Sequence, residues 1–308
     1  VRQALPVPGH RVDSRVPDKS VHGAAENRPA SGEIVKSELG PVFCEQVKPL
    51  PRLCICGGGH ISLPLSQISV LLGFSVTVID DREEFANAER FPWADEVLCG
   101  DFPGCIGRFQ GGENDYYVVV TRGHAHDRHC LEQILRGPYI YCGMIGSRTK
   151  NQIIFDYMLK HGFSEQQIKS VYAPIGLMIG SHTPAEIAVD IAAQLVQVRA
   201  QQGSDSAWDR TFIKALAELT QPAAMALIIR RSGSTPRGPG SRMLIYSDGS
   251  IVGSVGGGAS EGKAIQIGQE VIKSGKSGLY HCVMTSKNAA EEGLICGGEL
   301  DIFIERID

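Results

Sequence analysis

The sequence lacks the features that mark several large classes of protein. None of its apolar runs approaches the roughly 20 residues that a membrane-spanning helix needs. It has no basic tract, and its 30 basic and 34 acidic residues leave a formal charge of −4, so nucleic acid is not an expected ligand. The N-terminus has no apolar segment of the secretory type, so we expect a cytoplasmic protein without membrane attachment.

The nine cysteines are not spaced like those of a disulfide framework. This spacing favours free thiols in a reducing compartment. Cys54 and Cys56 lie on one predicted strand, and we expect their thiols to face opposite sides of the sheet, because side chains alternate along a strand.

The 308 residues are enough for two domains of ordinary size. Residues 1–32 are polar and interrupted by prolines, which predicts a flexible arm. A Rossmann-like domain is predicted over 33–200, with a lead-in strand over 42–48. A polar linker over 201–207 and a smaller α+β domain over 208–308 follow.

From residue 52 onward, apolar strands alternate with helices of amphipathic spacing, which predicts a parallel sheet covered on both faces. In this part the predicted strands are 53–56, 75–79, 116–121 and 139–142, and the predicted helices are 61–72, 129–135 and 184–199. Ile175–Ile179 and Ala223–Ile229 are too short to cross a membrane and are predicted as buried strands. The second domain is predicted to contain helices at 212–219 and 259–273, and strands at 225–230, 243–246, 251–255, 280–284 and 300–306.

Three consecutive glycines follow the first predicted strand and precede the first predicted helix. Gly57, Gly58 and Gly59, followed by His60, therefore predict a turn that binds an anion. The backbone N–H groups of such a turn approach a phosphate closely, and the helix N-terminus adds unpaired donors.

An acidic residue, Asp80, ends the next strand about 20 residues later, where dinucleotide-binding folds place the acid that binds ribose. Ser62 stands in the third glycine place of the G-x-G-x-x-G pattern, which loosens the approach of helix to strand. Asp80, Asp81 and Arg82 fit a nucleotide site and equally fit a structural corner of ion pairs.

Two further loops follow strands of the same predicted sheet. Arg122 and His124 lie in the first loop, and Ser147, Arg148 and Lys150 lie in the second. Ligands of open α/β sheets bind at the carboxyl ends of the strands, so we expect both loops to face one crevice. The first loop lacks an evident third metal ligand, so a polar ligand-binding or surface loop is favoured over a metal site. The second suits a phosphate or carboxylate, with an exposed helix start as the less favoured alternative.

A loop rich in arginine, glycine and proline joins two strands of the second domain. Ser234, Thr235, Arg237 and Arg242 belong to it. Arginine forks bind phosphate and carboxylate in a bidentate manner, and a stiff loop loses less entropy on binding. This loop therefore predicts an anion-binding site.

A second glycine triplet, Gly256, Gly257 and Gly258, precedes the last predicted helix and predicts another anion-binding turn. Glu261 lies in the first turn of that helix, where it contributes to the site or simply complements the helix dipole.

Cys296 and Gly297 lie just before the final predicted strand. A thiol flanked by glycines is accessible to solvent and to backbone N–H groups that favour the thiolate. A free cysteine is more commonly a small buried apolar residue. The arginine-rich and glycine-rich loops of the same domain favour a functional role for Cys296.

Ten short stretches, which together span most of the chain after residue 32, make the sequence resemble the xanthine dehydrogenase accessory (XdhC/CoxI) family of maturation factors for molybdenum hydroxylases. The stretches are CGGGH from Cys56, VIDDREEFAN from Val78, RFP from Arg90, TRGH from Thr121, GMIGS from Gly143, PIGL from Pro174, TPAEIA from Thr183, GSTPRG from Gly233, GSVGGG from Gly253 and CGG from Cys296. In most relatives the GSTPRG domain comes first. The reversed order is similar to that of the aldehyde oxidoreductase maturation factors.

The resemblance implies a protein that binds the molybdenum cofactor (molybdopterin) and protects it during sulfuration by a cysteine desulfurase. It also implies delivery to an apo molybdenum hydroxylase of the xanthine dehydrogenase or aldehyde oxidoreductase type. The cofactor phosphate is expected at the arginine-rich loop or a glycine turn, and Cys296 is expected to approach molybdenum or hold sulfur. Val42–Val47 looks like the strand that ends the first domain of relatives. We expect it to pair with the later domain, and we expect a homodimer.

Two other functions stay open. One is an NAD(P)-dependent oxidoreductase that uses Gly57–Gly59 and Asp80, and the other is a sulfurtransferase with a persulfide on Cys296. NAD(P) or another nucleotide is also an open possibility at the Rossmann site of a maturation factor. A cofactor-binding chaperone is favoured over a turnover enzyme because the sequence shows no evident acid–base dyad.

Overall fold

The fold is taken from a computed structural model, which describes residues 4–6, 33–37, 40–44, 50–109, 111–112, 114–202, 209–233, 235, 237–256, 258–284 and 298–308. The chain divides into two compact units. Residues 49–204 form one unit, and residues 1–48 together with 205–308 form the other. The domain limits predicted from the sequence, at 33–200, 201–207 and 208–308, stay predictions.

Three short strands near the N-terminus form an antiparallel sheet in the order β1-β3-β2. The strands are β1 (Ala4–Pro6), β2 (Glu33–Ser37) and β3 (Gly40–Cys44). β3 overlaps the predicted lead-in strand, and its hydrogen-bonded neighbours on both sides are β1 and β2. Its strand partners are therefore local and not strands of the later domain, although residues 1–48 and 205–308 belong to one compact unit, in keeping with the expected association.

The unit over 49–204 is built on a six-stranded parallel sheet in the order β6-β5-β4-β7-β8-β9. The strands are β4 (Arg52–Cys56), β5 (Ser75–Asp80), β6 (Glu96–Cys99), β7 (Asp115–Val119), β8 (Tyr141–Met144) and β9 (Val171–Tyr172). Counted within the sheet, this is the 3-2-1-4-5-6 order of dinucleotide-binding folds, so the predicted Rossmann-like sheet is confirmed.

The strand order reverses between β4 and β7, and the carboxyl ends of these two strands border the crevice where such folds bind ligands. The helices of this unit are α1 (Ser62–Leu71), α2 (Phe102–Phe109), α3 (His124–Ile134), α4 (Arg148–Lys160), α5 (Glu165–Lys169) and α6 (Pro184–Gln201). α6 begins with Thr183 as N-cap in a capping box with Glu186.

Two apolar clusters cover the two faces of the parallel sheet. Cys54 and Cys56 both belong to the first cluster, with their sulfur atoms 3.9 Å apart. The expectation that they face opposite sides is wrong, because residues two positions apart on a strand point to the same face. Burial raises the pKa of the Cys54 and Cys130 thiols, so both stay protonated at neutral pH.

The segment Ile175–Ile179 is not the predicted buried strand. It lies outside every strand of the described residues, and only Ile175 is buried, whereas Met178 and Ile179 are largely exposed. Gly176 has φ +92, and a side chain there would lie 2.9 Å from Cβ of Asp190. The chain therefore bends away from the sheet at this glycine.

The second unit contains a five-stranded antiparallel sheet in the order β12-β11-β10-β14-β13. Its elements are α7 (Arg210–Ala217), β10 (Ala223–Gly233), β11 (Arg242–Ile245), β12 (Ile251–Gly253), α8 (Gly258–Ser274), β13 (Gly278–Met284) and β14 (Gly298–Ile307). An α+β domain is thereby confirmed. Among the described helices of both units, none combines the length and the apolar character that crossing a bilayer requires.

Candidate functional site

The first glycine turn connects β4 to α1, and its three glycines have different surroundings. Gly57 has φ +115, and a Cβ there would lie 2.5 Å from the carbonyl oxygen of Val120. A Cβ at Gly58 would overlap the carbonyl oxygen of Phe85. At Gly59 no atom lies within 4 Å of a Cβ. The first two glycines are therefore required by the chain itself, and only Gly59 leaves space for a ligand.

The N-terminus of α1 lies directly after this turn. The helix has Ile61 as N-cap, receives no side-chain cap and has no acidic residue in its first turn. Ser62, in the third glycine place, is fully buried and donates its hydroxyl to the carbonyl of Gly57. Backbone donors of the first helical turn thus lack side-chain acceptors, which suits an anion.

Asp80 braces the glycine turn from the end of β5. Its carboxylate accepts hydrogen bonds from the N–H of Gly58 at 2.8 Å and from Nε and Nη2 of Arg82 at 2.9 and 3.1 Å. Burial opposes ionisation, but the bonds from Arg82 and Gly58 hold the pKa of Asp80 below its usual value. This geometry matches the structural ion-pair corner, because a ribose could bind Asp80 only by displacing Arg82.

An ion pair joins the loops that follow β5 and β7. Asp81 Oδ2 lies 2.8 Å from Nη2 of Arg122 and 4.0 Å from Nε2 of His126. β4 lies between these two strands, so the pair spans the carboxyl end of β4. His60 and His124 are both exposed at the same edge of the sheet. The structure therefore brings these predicted residues to one edge, as the Rossmann topology requires.

A buried network that the sequence did not reveal fixes the adjoining helix starts. Asp127 is fully buried in the first turn of α3 and accepts hydrogen bonds from Thr121 Oγ1 and Lys150 Nζ, both at 2.6 Å. Lys150 is therefore occupied by an internal partner. Ser147 is the N-cap of α4 and accepts from the N–H of Lys150, while Arg148 is exposed.

In the second unit, strand register gathers the predicted site loops at one end of the sheet. Gly233 at the end of β10 pairs with Gly298 at the start of β14. The loop that follows Gly233 returns at Arg242, and Gly253 at the end of β12 pairs with Met243. The arginine-rich loop, the second glycine turn and the segment that precedes Gly298 therefore all connect at this end, which we call the loop end of the sheet. Ser234, Gly257, Cys296 and Gly297 lie outside the described residues.

The arginines of the loop end differ in burial. Arg231 and Arg237 are exposed, and within the described residues no carboxylate lies within ion-pairing distance of either. Thr235 donates its hydroxyl to the carbonyl of Arg237 at 2.8 Å. Arg242 is buried in the sheet, and this burial lowers its pKa to about 10, although Glu305 opposes the shift. Two exposed guanidinium groups are thus available to an anion, whereas Arg242 belongs to the interior.

The second glycine turn is tied to the start of α8 by local hydrogen bonds. Ser254 donates to Oε1 of Glu261 at 2.5 Å, and the N–H of Gly256 donates to the hydroxyl of Ser254 at 3.1 Å. Gly258 begins α8 with φ +60. Glu261 therefore holds the turn in place, which is a local role in addition to any dipole effect.

A histidine–aspartate pair that the sequence did not reveal lies near the loop end. Nδ1 of His281 lies 2.6 Å from Oδ1 of Asp301, and Nε of Arg230 lies 2.8 Å from Oδ2 of the same carboxylate. The pair forms because β13 and β14 are antiparallel with His281 opposite Asp301. The carboxylate is shared between His281 and Arg230, so the contact is a cross-strand ion pair, and the absence of an acid–base dyad stays a prediction. Within the described part of the chain, no three His, Cys, Asp or Glu side chains are grouped so as to hold a metal.

Two protein-family models match the chain. The model of the XdhC Rossmann domain matches residues 53–195, and that of the XdhC and CoxI family matches residues 216–282. Together they cover most of the chain, with the Rossmann domain first.

Individual relatives agree with these matches. The chain is 29% identical over 203 residues to the Escherichia coli K12 protein "Uncharacterized protein YqeB", covering 62% of this chain and 37% of that protein. It is 31% identical over 160 residues to a Bacillus subtilis 168 protein named as a probable subunit of xanthine dehydrogenase, covering 51% and 46% respectively. The alignments thus span less than half the length of these two relatives.

A solved structure is also similar. The crystal structure of a xanthine dehydrogenase from Bacillus halodurans shares 30% identity, with a TM-score of 0.47, over 56% of this chain and 52% of that one.

Proposed function

The chain belongs to the XdhC and CoxI family, and we propose that it is an accessory factor for the maturation of a molybdenum hydroxylase. In this proposal it binds the molybdenum cofactor, supports its sulfuration together with a cysteine desulfurase, and inserts it into the apo-enzyme. The name of the Bacillus subtilis relative, a probable subunit of xanthine dehydrogenase, supports a hydroxylase of that type as the client.

The observation that carries the proposal is the convergence of loops at the loop end of the antiparallel sheet. The pairing of Gly233 with Gly298 brings the start of the GSTPRG loop next to the strand that follows Cys296 and Gly297. A cofactor that must be recognised through its phosphate and also handled at its metal needs both kinds of group in one place.

The side chains at the loop end fit an anionic cargo. Arg231 and Arg237 are exposed and lack a carboxylate partner among the described residues, so each can donate bidentate hydrogen bonds to phosphate without first breaking an ion pair. Ser234, Thr235 and the turn Gly256–Gly258 would supply further donors. When bound, the cofactor brings a phosphate and a molybdenum dithiolene, and a thiolate at Cys296 would suit the soft metal or a transferable sulfur.

The Rossmann unit is proposed to hold a separate nucleotide. The free space at Gly59 and the uncapped start of α1 support an anion there. The saturation of Asp80 by Arg82 and Gly58 opposes a typical NAD site, because the acceptor for ribose is already occupied. An NAD(P)-dependent oxidoreductase is therefore the weaker alternative, and a sulfurtransferase would be one stage of the proposed role.

The proposal is tested by cofactor retention. The full chain is purified from cells that make molybdenum cofactor, and bound pterin and molybdenum are quantified for the wild type, Cys296→Ala and Arg237→Ala. Arg136→Ala, which changes an exposed arginine of the other unit, is the matched control.

We expect Arg237→Ala to lower retention about tenfold, as for loss of a charge-assisted contact, and Cys296→Ala to lower the molybdenum retained per bound pterin, because a thiolate suits the soft metal. The control should behave like the wild type. Equal and negligible retention by all four proteins would contradict the proposed function.

A further inference from the structure

The outward side of α6 is apolar along its whole length. Ala185, Val189, Val196 and Ala200 are exposed, and Ala193 between them is half-buried. Their spacing of three and four residues keeps them on one side of the helix. We call these five residues the α6 stripe. A surface helix normally carries polar residues on its exposed side. The α6 stripe has apolar residues there instead.

Other exposed apolar side chains border the same helix. The described residues contain nine large apolar side chains that are exposed, and five of them are Leu71, Met178, Ile179, Val189 and Val196, at 38% to 90% exposure. The concentration of these side chains around one helix distinguishes this surface from the scattered apolar residues of an ordinary monomer.

Hydrogen bonds tie the bordering residues to α6. Arg199 donates to the carbonyl of Leu72 at 2.7 Å, which places the adjacent Leu71 beside the C-terminal end of the helix. The N–H of Leu177 donates to the carbonyl of Asp190 at 3.2 Å, which places Met178 and Ile179 beside its first half. The apolar surface therefore extends beyond the stripe at both ends of α6.

The stripe is symmetric about its centre, between Ala192 and Ala193. Ala185 and Ala200 lie equally far from this point, as do Val189 and Val196. A two-fold axis at the centre would set each Val189 against Val196 of a second copy, with alanines in the middle that let the helices approach closely. Self-complementarity of this kind is what an interface between identical chains requires.

The charges that border the stripe are compatible with such a pairing. With the helices antiparallel, Glu186 would lie beside the amide of Gln197 of the second copy, and both side chains are exposed. The two Glu186 side chains would be about 20 Å apart along the axis, since the helix rises about 1.5 Å per residue. No like charges meet across the seam, and the helix dipoles oppose each other favourably.

An interface of sufficient area must include the apolar residues that border α6. α6 has 18 residues and offers a projected face of about 300 Å², from a length of about 27 Å and a width of about 10–12 Å. A stable interface buries about 800 Å² per partner. The exposed Leu71, Met178 and Ile179 supply apolar surface towards this requirement, so the contact is broader than one helix pair.

We propose that the α6 stripe is the interface with a second copy of this chain, packed as antiparallel α6 helices about a two-fold axis near Ala193. The resulting dimer joins two Rossmann units. It does not depend on strand exchange by the N-terminal segment.

The first test is solution mass. We expect the wild type to have twice the 33.2 kDa of one chain. Val189→Lys should weaken association about a hundredfold, because a cation would be buried at each of two symmetric contacts at a cost of about tenfold each. Val196→Glu should do the same. The double variant Val189→Lys/Val196→Glu should restore the dimer, because the cation introduced at position 189 would face the carboxylate introduced at position 196 of the other copy.

Far-ultraviolet circular dichroism spectra that match the wild type would show that these exposed substitutions leave the fold intact, whereas the melting temperature should fall with loss of the dimer. A cysteine cross-link supplies the second measurement. In a Cys99→Ser background, which removes an exposed native thiol, Ala193→Cys should form a disulfide between copies when diamide accepts the two electrons and two protons. Lys169→Cys, on the exposed part of α5, should remain uncross-linked.

A monomeric wild type overturns the proposal and leaves a different protein as the occupant of this face. A dimer that survives Val189→Lys and does not cross-link through position 193 also overturns it, because its interface then lies elsewhere.

Discussion

The glycine turn of the Rossmann unit and the loop end of the antiparallel sheet look alike in sequence but differ in their bonding. At the first, Gly57 and Gly58 are enclosed by backbone carbonyls, and Asp80 is saturated by Arg82. At the second, Arg231 and Arg237 are exposed without a carboxylate partner among the described residues. A glycine triplet therefore indicates a tight turn. Exposed arginines without a carboxylate partner among the described residues indicate which turn can bind an anionic ligand.

The strongest test of the enclosed region is removal of the cation that neutralises Asp127. Lys150→Met leaves a fully buried carboxylate unpaired, and we expect a loss of about 3–5 kcal/mol in the free energy of unfolding of the Rossmann unit. Urea denaturation measures the loss. Lys169→Met removes the exposed partner of Glu165 and should leave stability unchanged. A similar response to both substitutions would show that the network does not brace the crevice.

A comparison of two adjacent glycines separates bracing from ligand access. Gly58→Ala places a methyl group against the backbone of Phe85, which cannot yield easily, so we expect about 3 kcal/mol of destabilisation. Gly59→Ala meets open space and should cost about 1 kcal/mol or less. If Gly59→Ala also weakens the binding of ADP while the free energy of unfolding stays unchanged, the anion binds beside Gly59. Equal destabilisation by both would remove the distinction drawn between them.

The second unit should respond to pH through Glu305. Burial raises the pKa of Glu305 from 4.5 to about 7, against the opposing attraction of Arg242. The native state therefore retains a proton that the unfolded chain releases, and stability falls as pH rises from about 4.5 to 7. Glu305→Gln should abolish this dependence and stabilise the unit by about 2 kcal/mol at pH 8, with little change at pH 4. Denaturation of both proteins across this range measures the effect, and parallel pH curves would contradict it.

The smallest expected effect concerns the exposed ion pair at the crevice. Arg122→Gln removes the partner of Asp81, and because this pair is substantially exposed we expect a change of no more than about 0.5 kcal/mol in unfolding free energy. Thermal unfolding at low and high salt measures it. A larger loss of unfolding free energy would show that Arg122 stabilises the fold and is not available to a ligand.

Much of the fold is predictable because it depends on local patterns. The run from Arg52 to Asp80 contains a strand, a glycine turn, an apolar helix and a second strand, and the structure has each of them. The elements that escape prediction include β6, whose ends are exposed, and α2, which is short and contains Pro103, Gly104 and Gly107. The prediction for Ile175–Ile179 is wrong because a short apolar run has no period that distinguishes a strand from an irregular segment.

The sequence by itself determined which residues turn, which strands are buried and, through its motifs, the family to which the chain belongs. Only the tertiary structure decided that Phe85 covers Gly58, that Lys150 pairs with Asp127 and that His281 lies opposite Asp301. Local backbone preferences act within a few residues, so the sequence pattern records them. Contacts between residues 20 or more positions apart depend on how strands order and register in a sheet, and no short stretch of sequence contains that information.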